Sequence, residues 1–102
     1  MDESFNVDEI HALVLSVFTH PACNGCGAAV EMSWELTREI NGVQLKTVKL
    51  ENREGLEKAK LHRVKTIPTR IISSRGHEFE RVVGLPQREE FKETIKHHLT
   101  EI

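Results

Sequence analysis

Two cysteines three positions apart, Cys23 and Cys26, are the chain's only thiols, and their spacing suits a redox dithiol. They stand in the run Cys23-Asn24-Gly25-Cys26, after the apolar stretch Leu13-Val14-Leu15-Ser16-Val17-Phe18 and before a helix-like segment. In that setting a C-x-x-C reads as redox-active. Residues three apart at a helix start share a face, near enough for their sulfurs to bond. The unpaired N–H groups and positive dipole end of a helix N-terminus stabilise a thiolate, so Cys23 is expected to titrate below the free value of about 8.5. Cys23 is the expected nucleophile and Cys26 the resolving thiol. A disulfide closing so short a loop removes little chain entropy. Stapling the fold therefore explains the pair poorly, whereas easy opening and closing suits catalysis.

Two thiols also make half of a structural zinc site, but closure needs two more ligands, and the six histidines contain no H-x(3–5)-H pair. No metal and no cofactor is expected. At 102 residues the chain is sized for a single domain with one modest core. No linker or repeat divides residues 1–102, with residues 1–9 as a short N-terminal extension. A net charge of −2, one Trp, four Phe and no Tyr offer neither a global pull toward nucleic acid or membranes nor much surface for base stacking. The acidic start Met1-Asp2-Glu3-Ser4-Phe5 is unlike a secretory signal, and no apolar run approaches membrane-spanning length. The expected location is cytoplasmic, where a lone C-x-x-C is more naturally catalytic than structural.

The elements that must position the dithiol read as β-α-β-α-β-β-α. Residues 10–18 are apolar and β-branched without clean alternation, as a central, parallel strand buried on both faces would be. Residues 24–40 carry Cys26, Val30, Met32, Leu36 and Ile40 near helical spacing, and Asn41-Gly42 is a stop signal. Residues 43–50 alternate as a second strand, and Asn52 is placed to cap a short helix through about His62. Residues 67–73 and 77–83 read as an antiparallel hairpin about Arg75-Gly76, ended by Gly84. Pro86 suits the first turn of a final helix whose inner stripe is Phe91, Ile95, Leu99 and Ile102.

In this order, and with the dithiol after the first core strand, the chain resembles the thioredoxin/glutaredoxin superfamily over roughly residues 10–100. The resemblance implies an α/β, thioredoxin-like fold, a minimal core with a four-stranded mixed sheet flanked by helices. Thr66-Ile67-Pro68-Thr69 looks like the family's loop before the third core strand, whose proline is cis and faces the dithiol. Gly84 matches the glycine near its substrate groove, and Arg75-Gly76 its hairpin turn. Pro68 has no N–H with which to quench a thiolate, while the Ile67 backbone stays free to pair with an extended substrate. On this likeness Ile67 and Pro68 hold the substrate, and Thr69 and Gly84 shape the groove.

The departures are specific. Val17 stands where classical thioredoxins keep a buried aspartate, so that proton acceptor is missing, although Lys49 occupies the place of their lysine beneath the site. The twenty-two residues before Cys23 are fewer than the additional strand and full helix that lead classical thioredoxins require. Asn24-Gly25 matches neither family's dipeptide and Ala22 replaces a common tryptophan, so no redox potential is inherited. His20, three residues before Cys23, reads either as a thiolate-stabilising cation or as a plain loop histidine. Leu85-Pro86-Gln87 after Gly84 lacks the Gly-Gly and acids with which glutaredoxins bind the glutathione amine. Arg53, Lys58, Lys60, Arg63, Lys65 and Arg70 outnumber Glu54 and Glu57, which predicts a basic flank.

The resulting expectation is a monomeric thiol-disulfide oxidoreductase that reduces disulfides in protein partners. Its electron donor would be a reductase or a low-molecular-weight thiol. The alternatives are a glutathione-coupled activity, or a non-enzymatic module holding a metal or an iron–sulfur cluster.

Overall fold

The computed structural model describes residues 13–101. Its elements run β1 (Leu13–Thr19), α1 (Cys26–Glu39), β2 (Val43–Lys49), α2 (Arg53–Leu61), β3 (Thr69–Ser74), β4 (His77–Val83) and α3 (Arg88–Thr100). The four strands form one mixed sheet in the order β2-β1-β3-β4. Strand β1 pairs in parallel with β2, with Val17 opposite Thr47, and antiparallel with β3, with Val17 opposite Arg70. It is therefore central as expected but parallel on one edge only. Its start at residue 10, the extension 1–9 and the Ile102 end of the last stripe lie outside the described residues.

Side chains alternate along β1 into two cores. Leu13, Leu15 and Val17 join Ile72 of β3, Ala29 and Leu36 of α1, and Phe91 and Ile95 of α3. On the other face Phe18 packs with Val48, Ile71 and Ala59 of α2. Burial on both faces is why β1 shows no polar alternation. The inner stripe of α1 is Cys26, Ala29, Ser33 and Leu36, continued by Ile40. Val30 and Met32, expected on that stripe, pack against its margins as partly buried side chains.

Element ends differ from the sequence reading where local chemistry intervenes. Asn52 is the N-cap of α2, but its side chain makes no capping hydrogen bond. Pro86 stands ahead of α3 rather than inside it, because Gln87 is the N-cap. Arg75 and Gly76 both have positive φ, 52° and 84°, the primed-turn geometry that suits the twist of a two-residue hairpin. Arg88 and Lys92 of α3 grip α1 through Glu39, with Lys92 Nζ 3.1 Å from the carboxylate. Hydrogen bonds from Lys92 and Arg88 hold the Glu39 carboxyl below its usual pKa.

Two outcomes follow from this packing. A Cβ on Gly55, in the first turn of α2, would lie 1.9 Å from the Lys49 carbonyl oxygen. Gly55→Ala is therefore expected to cost about 3 kcal/mol in denaturant unfolding despite the better helix propensity of Ala. Gly27→Ala, with nothing within 4 Å, should gain up to about 1 kcal/mol; equal effects at both sites would contradict the close approach. The Glu39 grip contributes above the unfolded carboxyl pKa and is lost as pH falls through the lowered folded one. Glu39→Gln should thus melt earlier than the parent at pH 7, and the gap should close below about pH 4. A gap independent of pH would show that the carboxylate charge is not what α3 uses.

Candidate functional site

The end of β1 sets the site. After Thr19 the chain turns through His20, Pro21 and Ala22. In that turn the Cys23 N–H donates to the His20 carbonyl at 3.0 Å. Cys23 and Cys26 are joined in a disulfide with their Cα atoms 5.4 Å apart. Helix α1 begins at Cys26, with Gly25 as N-cap, so Cys23 lies in the turn ahead of the helix rather than on it. Its sulfur still meets the helix end through Cys26, and no acidic residue occupies the first turn to oppose a thiolate. Cys26 is only 3% exposed, whereas Cys23 is half-buried at the surface.

The loop before β3 faces this turn. The Ile67–Pro68 peptide bond is cis, and Pro68 is buried. The Pro68 ring lies over Gly25, where a Cβ would stand 3.8 Å from Pro68 Cδ. A shallow depression is lined by His20, Ala22, Cys23, Asn24, Gly25, Ile67 and Pro68. Among the described residues neither the N–H nor the C=O of Ile67 has a backbone partner. Pro68 is held from behind, its carbonyl accepting the Gly84 N–H at 2.9 Å. Gly84 has φ +83°, a conformation that side chains disfavour. Exposed Val83 and Leu85 flank it. Thr69 is 2% exposed and its hydroxyl donates to the Thr66 carbonyl. It braces the loop from within instead of presenting a surface to the groove.

On the other side of the disulfide a second depression brings Cys26, His20, Lys49 and Glu51 together. Lys49 thus reaches the neighbourhood of Cys26 while remaining exposed. His20 accepts the Ala22 N–H through Nδ1 at 3.0 Å. It braces the turn that carries Cys23.

The expected basic flank loses one member. Arg53, Lys58, Lys60, Arg63 and Lys65 are exposed, but Arg70 is fully buried. Its position opposite Val17 puts it on the α1 and α3 face of the sheet. There its guanidinium donates to the Gly84 carbonyl, reaches Met32 Sδ at 3.8 Å and lies 4.6 Å from the centre of the Phe91 ring. Desolvation pushes its pKa down to about 10, so it remains a cation at neutral pH. The two-residue period of Arg70 and Ile72 carried this signal, since it aims both at one face. The approach of Pro68 to Gly25 agrees with the cis proline that the family resemblance of Thr66-Ile67-Pro68-Thr69 placed against the dithiol.

Among the described residues no group of three or more potential metal-ligating side chains occurs. No helix among them is long and apolar enough to cross a membrane. A sequence model described as Thioredoxin matches residues 2–97, beginning well before residue 10. Thioredoxin from Bacillus subtilis is 33% identical over 98 residues, covering 96% of this chain and 93% of that protein. Thioredoxin from Listeria monocytogenes is 30% identical over 98 residues, covering 96% and 94%. Among solved structures, Fasciola hepatica thioredoxin superposes with a TM-score of 0.75 at 26% identity, covering 90% of this chain and 86% of that one. A mutant thioredoxin from Halobacterium salinarum gives 0.74 at 22% identity, covering 89% and 80%.

The difference in burial between the two sulfurs is measurable. After reduction, limiting iodoacetamide is expected to alkylate Cys23 at least about tenfold faster than Cys26 at pH 7. Peptide mapping would read the ratio, and equal labelling would contradict the geometry.

Proposed function

Because the chain belongs to the thioredoxin family and is a thiol-disulfide oxidoreductase, we propose that it reduces disulfides of protein partners with Cys23 as attacking thiolate and Cys26 as resolving thiol. The carrying observation is the Cys23–Cys26 disulfide at the start of α1, facing a loop whose Ile67 backbone has no backbone partner among the described residues. In the reductive half-cycle the Cys23 thiolate attacks one sulfur of a substrate disulfide, forming a mixed disulfide and releasing the other substrate sulfur as a thiolate that takes a proton. Cys26 loses its proton and attacks the Cys23 sulfur, releasing the second substrate thiolate and leaving Cys23–Cys26 oxidised. Two electrons have then passed to the substrate, and a reductase or a low-molecular-weight thiol returns two electrons and two protons.

Ile67 offers the substrate strand its N–H and C=O, Pro68 excludes a competing donor beside the thiolate, and Val83 and Leu85 around Gly84 give the groove an apolar rim. Thr69 supports the loop from behind. With Val17 in place of a buried acid, the Cys26 proton leaves through the water-accessible depression lined by Lys49 and Glu51. The chain works as one domain over residues 1–102 and as a monomer. A reducing cytoplasm suits it, since both of its cysteines belong to the dithiol.

Trapping tests the assignment. Cys26→Ser should accumulate a mixed disulfide with a disulfide-bearing test protein such as insulin. Cys23→Ser should form none and lose insulin reduction to background. An adduct on Cys26 in Cys23→Ser protein, or no reversible two-electron couple in metal-free wild-type protein, would overturn the reading.

A further inference from the structure

Arg70 is the one fully buried charged side chain among the described residues, and nothing in the disulfide cycle above uses it. No carboxylate pairs with it there; its partners are a carbonyl, a thioether and an aromatic face. Its Nε is buried with no hydrogen-bond partner. Burying an uncompensated cation is costly, so its presence in the core calls for an explanation other than stability.

Its placement supplies one. Three of its contacts belong to elements that build the site. Met32 lies on α1, six residues and about 9 Å of helix beyond Cys26. Gly84, whose carbonyl takes the Arg70 proton donor, gives its own N–H to Pro68, and the Pro68 ring covers Gly25. Val17, its cross-strand partner, lies on the strand that ends in the active-site turn. The guanidinium is thus tied through Gly84 to the loop that faces the dithiol and buried in the core, where salt screens it little.

We propose that Arg70 is a positioning residue that stabilises the Cys23 thiolate through the protein interior and biases the Cys23–Cys26 couple toward the dithiol. The inference rests on the redox reading of the pair given above. A positive charge favours the ionised thiol over the neutral one, and it favours the thiolate-bearing reduced form over the uncharged disulfide. In a medium of effective dielectric near 20, a unit charge within about 10 Å of a titrating group moves its pKa by about one unit. The other charges facing the dithiol do not supply this. Lys49 and Glu51 are exposed and opposite in sign, Lys65 on the facing loop is exposed to solvent, the His20 Nδ1 is engaged with the Ala22 N–H, and the first turn of α1 carries no acid. From α3 the packed residues are Phe91 and Ile95.

Arg70→Met and Arg70→Gln separate charge from bonding, since glutamine can still donate to the Gly84 carbonyl while carrying no charge. The readouts are the pH profile of Cys23 alkylation by iodoacetamide in Cys26→Ser backgrounds, and the equilibrium with glutathione. In the latter, disulfide plus two glutathione gives dithiol plus one glutathione disulfide. Both variants should raise the Cys23 midpoint by about one unit. Both should also move the glutathione equilibrium at pH 8 by up to about tenfold toward the disulfide. A role confined to holding Gly84 predicts a wild-type profile for Arg70→Gln, and that result would overturn the proposal. So would a wild-type Cys23 midpoint at or above about 8.5, which requires no variant to fold. If wild type lacks a reversible couple altogether, the redox reading fails. If the couple is intact and the variants leave it unmoved, only the role of Arg70 fails.

Discussion

Strand β1 imposes the constraint from which the site follows. It is hydrogen-bonded along both edges and covered on both faces, so it cannot slide or tilt without opening the sheet and two cores together. Everything reactive is placed relative to its end. One step past Thr19 the chain enters the turn that carries Cys23, and the Thr19 carbonyl takes the Leu50 N–H at 2.9 Å. That bond ties the turn to the end of β2. From the opposite edge β3 starts at Thr69 against Phe18, which brings Pro68 to the same end of the sheet. The dithiol and the loop facing it are therefore held by one strand, and neither depends on a long flexible connection for its position.

The electrostatics of this end are unusual for a buried redox pair. Where the related pattern has an acid, the core has Val17, and across the ladder stands Arg70. Among the described residues the one fully buried charge is positive. About 1.4 kcal/mol corresponds to 30 mV in a two-electron couple, so the proposed role of Arg70 would separate this dithiol from relatives with the same backbone. The surface charges do less. The ion pairs between Arg88, Lys92 and Glu39 join α1 to α3 in solvent, where screening leaves each of them small.

Legibility in sequence depends on whether a signal is periodic or three-dimensional. The order of elements, the doubly buried β1 and the hairpin about Arg75-Gly76 all follow from hydrophobic pattern and turn chemistry, which are local. Helical spacing over residues 24–40 identifies α1 as an element but starts it two residues early, because Gly25 is the N-cap and the helix begins at Cys26. Pro86 misleads for a similar reason: a proline suits the first helical turn, yet it equally suits the extended lead-in that Gln87 ends. Composition counts Arg70 with a basic surface, although its phase with Ile72 points it inward. Charge is a weak guide to burial when a strand is covered on both faces. The contact of Pro68 with Gly25 joins chain segments more than forty residues apart, so hydrophobic period does not encode it, and only the family resemblance of Thr66-Ile67-Pro68-Thr69 anticipated it.

The free backbone of Ile67 is the last constraint to account for. An unpaired N–H and C=O at the surface invite pairing with any extended chain, a liability that proteins ordinarily suppress at sheet edges. Here the opening is one residue long. Pro68 follows with no N–H, and its carbonyl is already taken by Gly84, so an added strand cannot extend its ladder along the loop. On the proposed reading, a visiting segment would be limited to the bonds of Ile67 and would find the remainder of its affinity on the apolar rim of Val83 and Leu85, which are 57% and 51% exposed. Such contacts are short-lived, and transience suits a step in which the covalent mixed disulfide, and not the groove, holds the partner during exchange. With so few contacts, the direction from which a disulfide would approach Cys23 is left to the loop backbone, which the Thr69 hydroxyl and the Gly84 N–H brace.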